Sequence, residues 1–416
     1  MRNNKDYRLD EIARVDISGV DKKIKDDESP VKLCNFTDVY NNWAVTERMT
    51  KYFMPATANE NEIKRFSLKK GMVAITKDSE TRDDIGMATY IADDLENTVL
   101  GYHTALIIPD EKKVDGRYLN AYLNSLRART YFSNQASGSG QRYTLTTEGI
   151  GSVKVPLPEM AHQKRIGKLL SDIDRKIELN NEINDNLSNQ IQDLFNYWFL
   201  QYEFTDENGK PYKSNNNELL FSKQINRHIP YGWKVDKLSS ICKLINGRAY
   251  SQEELQNNGK YKIARVGNFF SNNSWYYSDM ELSPDKYCDT GDLLYCWSAT
   301  FGPFIWDMDK TIYHYHIWKV EPYSEVFKPY IYETLKVLTN QMMNDRHGSV
   351  MAHLTKDNME NYDIVIPPME LLEDFYNKAN HIYNEIISLK QQNRHLIALR
   401  EWILPMLMNG QATIAD

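Results

Sequence analysis

Two stretches of the chain place apolar residues in alternating steps of three and four. Ile166, Leu170, Ile173, Ile177, Leu187, Ile191, Leu194 and Trp198 form the first stripe, leaving Asn180 and Asn184 at the two seam positions between Ile177 and Leu187. Leu372, Phe375, Ala379, Ile382, Ile386, Leu389, Leu396 and Ile403 form the second, with Asn393 and Arg400 as polar intruders and Pro405 as the expected stop. The spacing is that of a coiled-coil seam with a polar centre. Each stripe could pack on its own globular domain, but so regular a heptad is better satisfied if the two helices pair with each other, antiparallel. The sequence before each helix has a different texture. Short strand-like runs such as Met72-Val73-Ala74-Ile75 and Leu293-Leu294-Tyr295-Cys296 follow Gly-containing turns at Gly71 and Gly291 and mix with short helical patterns. Each such region predicts an α+β globular domain.

The two halves also resemble one another. Tyr118-Leu119-Asn120-Ala121-Tyr122-Leu123 is echoed by Tyr330-Ile331-Tyr332-Glu333-Thr334-Leu335. A polar segment follows each, then a Gly/Ser turn (Gly138-Ser139-Gly140 and His347-Gly348-Ser349), then Leu145-Thr146 or Leu354-Thr355. Short apolar runs closed by proline come next, Val153 to Pro158 and Ile364 to Pro368, and the offset from Leu145 to Leu354 equals that from Pro158 to Pro367. Leu9-Asp10-Glu11-Ile12 matches Leu238-Ser239-Ser240-Ile241 more weakly. A long internal repeat fixes the domain plan. The expected order is a globular domain over 1–158, a helix over 159–200, a polar exposed linker over 201–228, a second globular domain over 229–366, and a second helix with a tail over 367–416. The predicted fold class is therefore α+β, two globular domains in tandem repeat separated by two long antiparallel coiled-coil helices.

With 416 residues and 41% hydrophobic content, the chain can build several real cores. No run approaches the roughly 18 consecutive apolar residues of a membrane span, and the opening Met1 to Asp6 is too polar for a signal peptide, so a cytoplasmic location is expected. Cys34, Cys242, Cys288 and Cys296 form no CxxC pair and predict reduced, mostly buried thiols. The net charge of −7 sits poorly with a polyanionic ligand, yet local distribution outweighs the sum. From Lys112 to Lys154 the acids are Asp115 and Glu148, against Lys112, Lys113, Arg117, Arg127, Arg129, Arg142 and Lys154. That is a basic sector inside an acidic protein.

Catalytic machinery is not evident. An amino-methyltransferase needs an Asp/Asn-Pro-Pro-Tyr/Phe motif for the flipped base, whereas the adjacent prolines Pro367-Pro368 follow Ile366, which has no polar side chain. Neither a dinucleotide-type glycine loop nor a GxxxxGK[ST] phosphate loop occurs. Asp83-Asp84 and Asp93-Asp94 read as solvated acids rather than metal ligands, and His314 and His316 read as sharing one face of a strand. Base edges are read by Arg, Lys, Asn and Gln, and phosphates are gripped by Lys, Arg, Ser, Thr and backbone amides. The residues expected to touch DNA are Arg127, Arg129, Asn134, Gln135, Ser139, Gln141, Arg142 and Tyr143 in the first half. In the second they are Gln341, Asn344, Arg346, Ser349 and His353.

Several phrases, in this order, resemble the specificity subunits of type I restriction-modification enzymes: Val155-Pro156-Leu157-Pro158, Trp198-Phe199-Leu200 running into Phe204, Gly209 to Ser214, Ile229-Pro230-Tyr231-Gly232-Trp233, Ile366-Pro367-Pro368, and Leu404 to Gly410. The resemblance covers almost the whole chain. The N-terminus is where it fades, since nothing there matches the Pro-Tyr-Gly-Trp opening of the second half. The resemblance implies two target-recognition domains, each reading one part of a split, asymmetric site in double-stranded DNA, with the helices setting their separation. It further implies two docked modification (methyltransferase) subunits and restriction (motor-nuclease) subunits. No cofactor is expected on this chain; S-adenosylmethionine, ATP and Mg2+ belong on those partners. Base-reading residues do not transfer, because such domains vary with their targets. Two rival readings are a self-sufficient DNA methyltransferase or nuclease, which the missing motifs oppose, and a coiled-coil adaptor binding only proteins, which the duplicated basic, amide-rich loops oppose.

Overall fold

Gly71 and Gly291 both take left-handed backbone, φ 94° and 92°, a conformation that costs glycine nothing. From each, the chain enters the central strand of a sheet. The computed structural model describes residues 5–138, 142–270, 274–344 and 354–414. It divides into two units, one of Met1–Glu178 with Arg394–Asp416 and the other of Leu179–Asn393. In the first unit the main sheet runs Ala13–Ile17, Thr104–Pro109, Val73–Thr76, Ala88–Ile91, Ala44–Val45; in the second it runs Cys242–Asn246, Ile317–Pro322, Leu293–Ser298, Thr300–Ile305. Registers agree as well as order. Ala13 lies opposite Pro109 as Cys242 lies opposite Pro322, and Val73 opposite Ile107 as Leu293 opposite Val320. The α+β tandem repeat is thus present in four matching strands, with Ala44–Val45 as a fifth in the first unit.

The N-terminus, which has no match to the Pro-Tyr-Gly-Trp opening of the second half, is nonetheless built like it. Lys5–Arg8 pairs antiparallel with Lys154–Leu157, as Lys234–Lys237 pairs with Asp363–Ile366, and a 3-10 turn follows each, Leu9–Glu11 and Leu238–Ser240. This two-stranded clasp ties the start of each half to the strand before its long helix. A helix locks it in both units: buried Tyr118 donates its hydroxyl to the Pro156 carbonyl at 2.6 Å, and buried Tyr330 donates to the Val365 carbonyl. Such a bond adds about 0.5–1.5 kcal/mol net, and deleting it leaves a buried carbonyl without a donor.

The first long helix is α-helical over Met160–Phe195 and ends in a π-helical turn, Asn196–Leu200. The second spans Met369–Met408 and continues through Pro405, which was expected to end it. Proline removes its own N–H bond to the preceding turn and crowds the carbonyl four residues back. Buried Leu404 and Leu407 anchor the last turn in the core that also holds Ile166 and Leu170, and this outweighs the lost bond. Both units contain a section of each helix, and the two sections run antiparallel. In the first unit Arg400 Nη1 meets Asp174 Oδ1 at 3.2 Å. In the second, fully buried Asn180 donates to Asn393 Oδ1 at 2.8 Å and Gln392 Oε1 at 2.7 Å, while Ile191 and Phe195 share a core with Leu372 and Phe375. Of the polar intruders, Asn180 and Asn393 therefore partner each other, while Arg400 pairs with Asp174.

The stretch 201–228, expected as an exposed linker, is largely exposed but ordered. Tyr202 is buried, Phe204 stacks on Tyr212 and Trp233 at 4.6 and 5.3 Å, and Leu219–Ser222 forms a hairpin with Arg227–Pro230. All four cysteines are free and buried, and burial pushes each thiol up. Among the described residues no helix is long and apolar enough to cross a membrane.

Candidate nucleic-acid interface

The repeat register brings a common place in each main sheet into view. At the end of Val73–Thr76, the Lys77 amide donates to the His103 carbonyl at 2.9 Å; at the matching point, the Trp297 amide donates to the His316 carbonyl at 3.1 Å. The next strand is held alike, Ser18 N to Thr104 O and Gly247 N to Ile317 O, both at 3.1 Å. Lys77 thus corresponds to Trp297 and His103 to His316. Neither His103 nor Trp297 was singled out from sequence. The signal that could have found them is the Gly71/Gly291 match: counting the same number of residues from each glycine lands on Lys77 and Trp297.

In the first unit this place is charged. His103, itself in left-handed backbone at φ 71°, sets Nδ1 2.6 Å from Asp78 Oδ2, and Lys77 Nζ reaches the same oxygen at 2.8 Å. Burial pushes the Asp78 carboxyl up, but hydrogen bonds from Lys77, Thr144 and His103 outweigh it and hold the group below the usual carboxylate range. Arg142 Nη2 lies 2.7 and 2.9 Å from the two ring nitrogens of His103 and 4.0 Å from Asp78. Tyr143 pairs with Ser79 in a small sheet and carries the Arg82 guanidinium over its ring at 5.1 Å. In the same sheet Gly138 passes so close to Arg142 that a Cβ would sit 2.0 Å from the Arg142 carbonyl oxygen, so glycine is required there.

The second unit answers with rings. Trp297 stacks on buried Trp318 at 5.7 Å, which stacks on buried Tyr295, and the Trp297 indole donates to the Tyr315 carbonyl at 2.9 Å. His316 meets Trp297 edge-on at 5.2 Å and His314 at 4.8 Å. These two histidines do not alternate along a strand as expected. The strands are Thr311–Tyr313 and Ile317–Pro322, and His314 to His316 form the tight connection between them. Burial, with His316 and Arg265 nearby, lowers His314 to about 4, and burial lowers His316 as well. Burial thus favours the neutral form of both rings.

The residues named from sequence fall into four groups. Arg142 and Tyr143 stand in the charged site, with Asn134 and Gln135 exposed at the end of the helix Leu126–Gln135 that leads into it. Arg127 and Arg129 are held elsewhere: Arg127 pairs with Asp6 at 2.9 Å, and Arg129, only 17% exposed, donates to the Asp83 carbonyl at 2.7 Å. Gln341 is exposed at the rim of a cavity of about 640 Å³ that Thr334 and Asp363 also line, and Asn344 ends the helix Phe327–Asn344. Ser139, Gln141, Arg346, Ser349 and His353 lie outside the described residues. The acidic pairs act as hydrogen-bond acceptors: Asp84 takes the Tyr40 hydroxyl, Asp93 the Glu47 amide and Asp94 the Lys70 amide. Among the described residues, no group of three or more His, Cys, Asp or Glu could hold a metal.

Comparison with known proteins agrees with this duplicated layout. A specificity subunit of a type I restriction enzyme from Methanocaldococcus jannaschii, MjaIX, is 26% identical over 376 residues, covering 86% of this chain and 82% of its own. The HindI specificity subunit of Haemophilus influenzae is 22% identical over 99% of this chain and 100% of its own. Among solved structures, the type I restriction-modification S subunit of M. genitalium shares the fold at a TM-score of 0.53, with 12% identity over 98% of this chain and 97% of that one. The family described as "Type I restriction modification DNA specificity domain" matches residues 1–189 and 230–391, one stretch for each half of the repeat. With most of its length inside those two matches, the chain belongs to the family of type I restriction-modification DNA specificity domains.

Proposed function

We propose that the chain reads a bipartite, asymmetric site in double-stranded DNA, one half per unit, and delivers that choice to other subunits of a type I restriction-modification complex. The observation that carries the reading is the repeat-equivalent pair of places at Lys77/His103 and Trp297/His316. They share a backbone frame and a Tyr-His step, Tyr102-His103 and Tyr315-His316, and differ on the facing strand, Lys77-Asp78 against Trp297-Ser298. Two readers on one frame with unlike surfaces suit a site whose halves differ in sequence. The long helices would space the readers and dock two modification subunits, joined by restriction subunits. S-adenosylmethionine, ATP and Mg2+ would act on those partners. The chain's own part would be binding, with net charge −7 leaving each reader poorly placed to hold a duplex alone.

Reconstitution tests this. The purified chain with S-adenosylmethionine, or with Mg2+, should leave DNA unmodified and bind it weakly at physiological salt. Addition of the modification subunit should give methylation and tight, site-specific retention. Modification of DNA by the chain alone would favour a self-sufficient enzyme. A complex with no salt-dependent DNA retention would favour a protein-only adaptor.

A further inference from the structure

The basic sector of the first unit is mostly neutralised within the fold. Arg117 pairs with Asp115 at 3.0 Å, Arg127 with Asp6 at 2.9 Å and Lys113 with Asp110 at 3.3 Å, while Arg129 is turned toward Asp83 and Asp84. Arg142 differs. Its side chain is 57% exposed, its closest carboxylate stands 4.0 Å away, and that carboxylate, Asp78, is already engaged by Lys77 at 2.8 Å and His103 at 2.6 Å. Among the described residues, Nη2 is the Arg142 nitrogen with a hydrogen-bond partner, the His103 ring.

The contacts form a chain. Nδ1–H of His103 is assigned as the donor to Asp78, and Arg142 Nη2 lies against the edge of the ring that carries both nitrogens, 2.7 Å from Nδ1 and 2.9 Å from Nε2, the nitrogen left to accept from it. The carboxylate at its base is buried, so the chain is anchored at its inner end and exposed at its outer end. Such an arrangement fixes one edge of a guanidinium and presents its remaining N–H donors outward.

We infer that Arg142 is a base-reading residue of the first unit that recognises the O6/N7 acceptor edge of a guanine, and that Asp78 and His103 are the residues that position it. The inference rests on the proposal that this unit reads DNA. A guanidinium has only donors, so its match on DNA is an acceptor pair, found on the guanine edge in the major groove or on phosphate oxygens. An exposed Arg that serves phosphate needs no buried carboxylate and histidine behind it, whereas reading one base needs a fixed direction. The second unit has Trp297 and Ser298 where the first has Lys77 and Asp78, so it lacks the anchor and must read its half by other contacts.

Methylation mapping of genomic DNA tests this with the full chain and its modification subunit. Arg142→Gln should exchange guanine for adenine at one position of one half-site, because a Gln amide pairs with the adenine edge, with methylation of the original site falling roughly ten- to a hundredfold. His103→Asn keeps a residue type that tolerates φ 71° but is too short to span Asp78 and Arg142. It should relax that same position and no other. His103→Gln, whose amide can donate to Asp78 and accept from Arg142, should recover part of the discrimination. An unchanged motif in Arg142→Gln overturns the inference. So does even weakening at all positions, the mark of a phosphate contact, or loss of the entire half-site. A wild-type complex that methylates no split site would instead remove the reading on which the inference rests.

Discussion

Replacing Asn393 with Leu probes the polar centre of the helix pair. Asn393 accepts from fully buried Asn180 at 2.8 Å and donates to Asn181 at 2.8 Å; Asn180 keeps one other acceptor, Gln392 at 2.7 Å. The substitution removes at least these two hydrogen bonds and leaves the Asn180 Nδ2 with one of its two acceptors in an apolar seam. Two lost bonds at about 0.5–1.5 kcal/mol each give about 1–3 kcal/mol. Exposed Asn181 turns to water, which favours the lower half of that range. For a unit of this size each kcal/mol moves the thermal midpoint by about 2–4 °C, so the fall should be roughly 2–8 °C, read as loss of helical circular dichroism. The double variant Asn180→Leu/Asn393→Leu removes both buried amides and should melt at or above the wild-type temperature, since an apolar pair of similar size suits the seam. It also removes the feature that fixes the register of the two helices. A complex built on it should methylate sites with more than one gap length. Unchanged melting of the single variant, or a double variant less stable than either single, would refute the assignment of this pair to the seam.

The Asp174–Arg400 pair makes stability depend on pH. Burial, reinforced by Glu178, raises the Asp174 carboxyl to about 6 despite Arg400 beside it, so the folded state favours the protonated form. This contribution is fully present below the unfolded value near 4 and is lost as pH rises through 6; Asp174→Asn should flatten the stability profile of the first unit between those limits, and an unchanged profile would count against it. Seven residues added in step to both helices lengthen each by about 10 Å, and the unread gap should grow by about three base pairs with the read bases unchanged. A fragment ending at about residue 210 lacks Leu404 and Leu407, which cover Ile166 and Leu170 in the full chain. It should pair with a second copy and, with the modification subunit, methylate an interrupted palindrome. A monomer by light scattering, or a site without inverted symmetry, would show that the halves are not interchangeable.

The parts of this architecture that rest on periodicity were legible in the sequence. Both helices follow from spacing alone, and the Gly71/Gly291 and Leu9/Leu238 matches mark structurally equivalent turns. Pairings between distant residues were not legible. Asn180 and Asn393 each read as an intruder in its own stripe, and only folding brings them together. Arg127 and Arg129 read as free cations because Asp6, Asp83 and Asp84 lie far away in sequence. His314 and His316 show the limit of a two-residue alternation, which a strand and a tight turn both satisfy. His103 carries no local signal; its place is defined by the carbonyl that holds Lys77 and by the buried Asp78.

The central claim, that each unit reads one half of a split site, is tested most directly by long-read methylation mapping of DNA from cells carrying this chain and its modification subunit. The wild-type chain should give one methylated motif with two unlike specific parts separated by a fixed run of unread bases. Alanine at Trp297 and His316 should then degrade only one part, and alanine at Arg142 only the other. A continuous or palindromic motif for the full chain, or damage to both parts from either set of substitutions, would contradict the account.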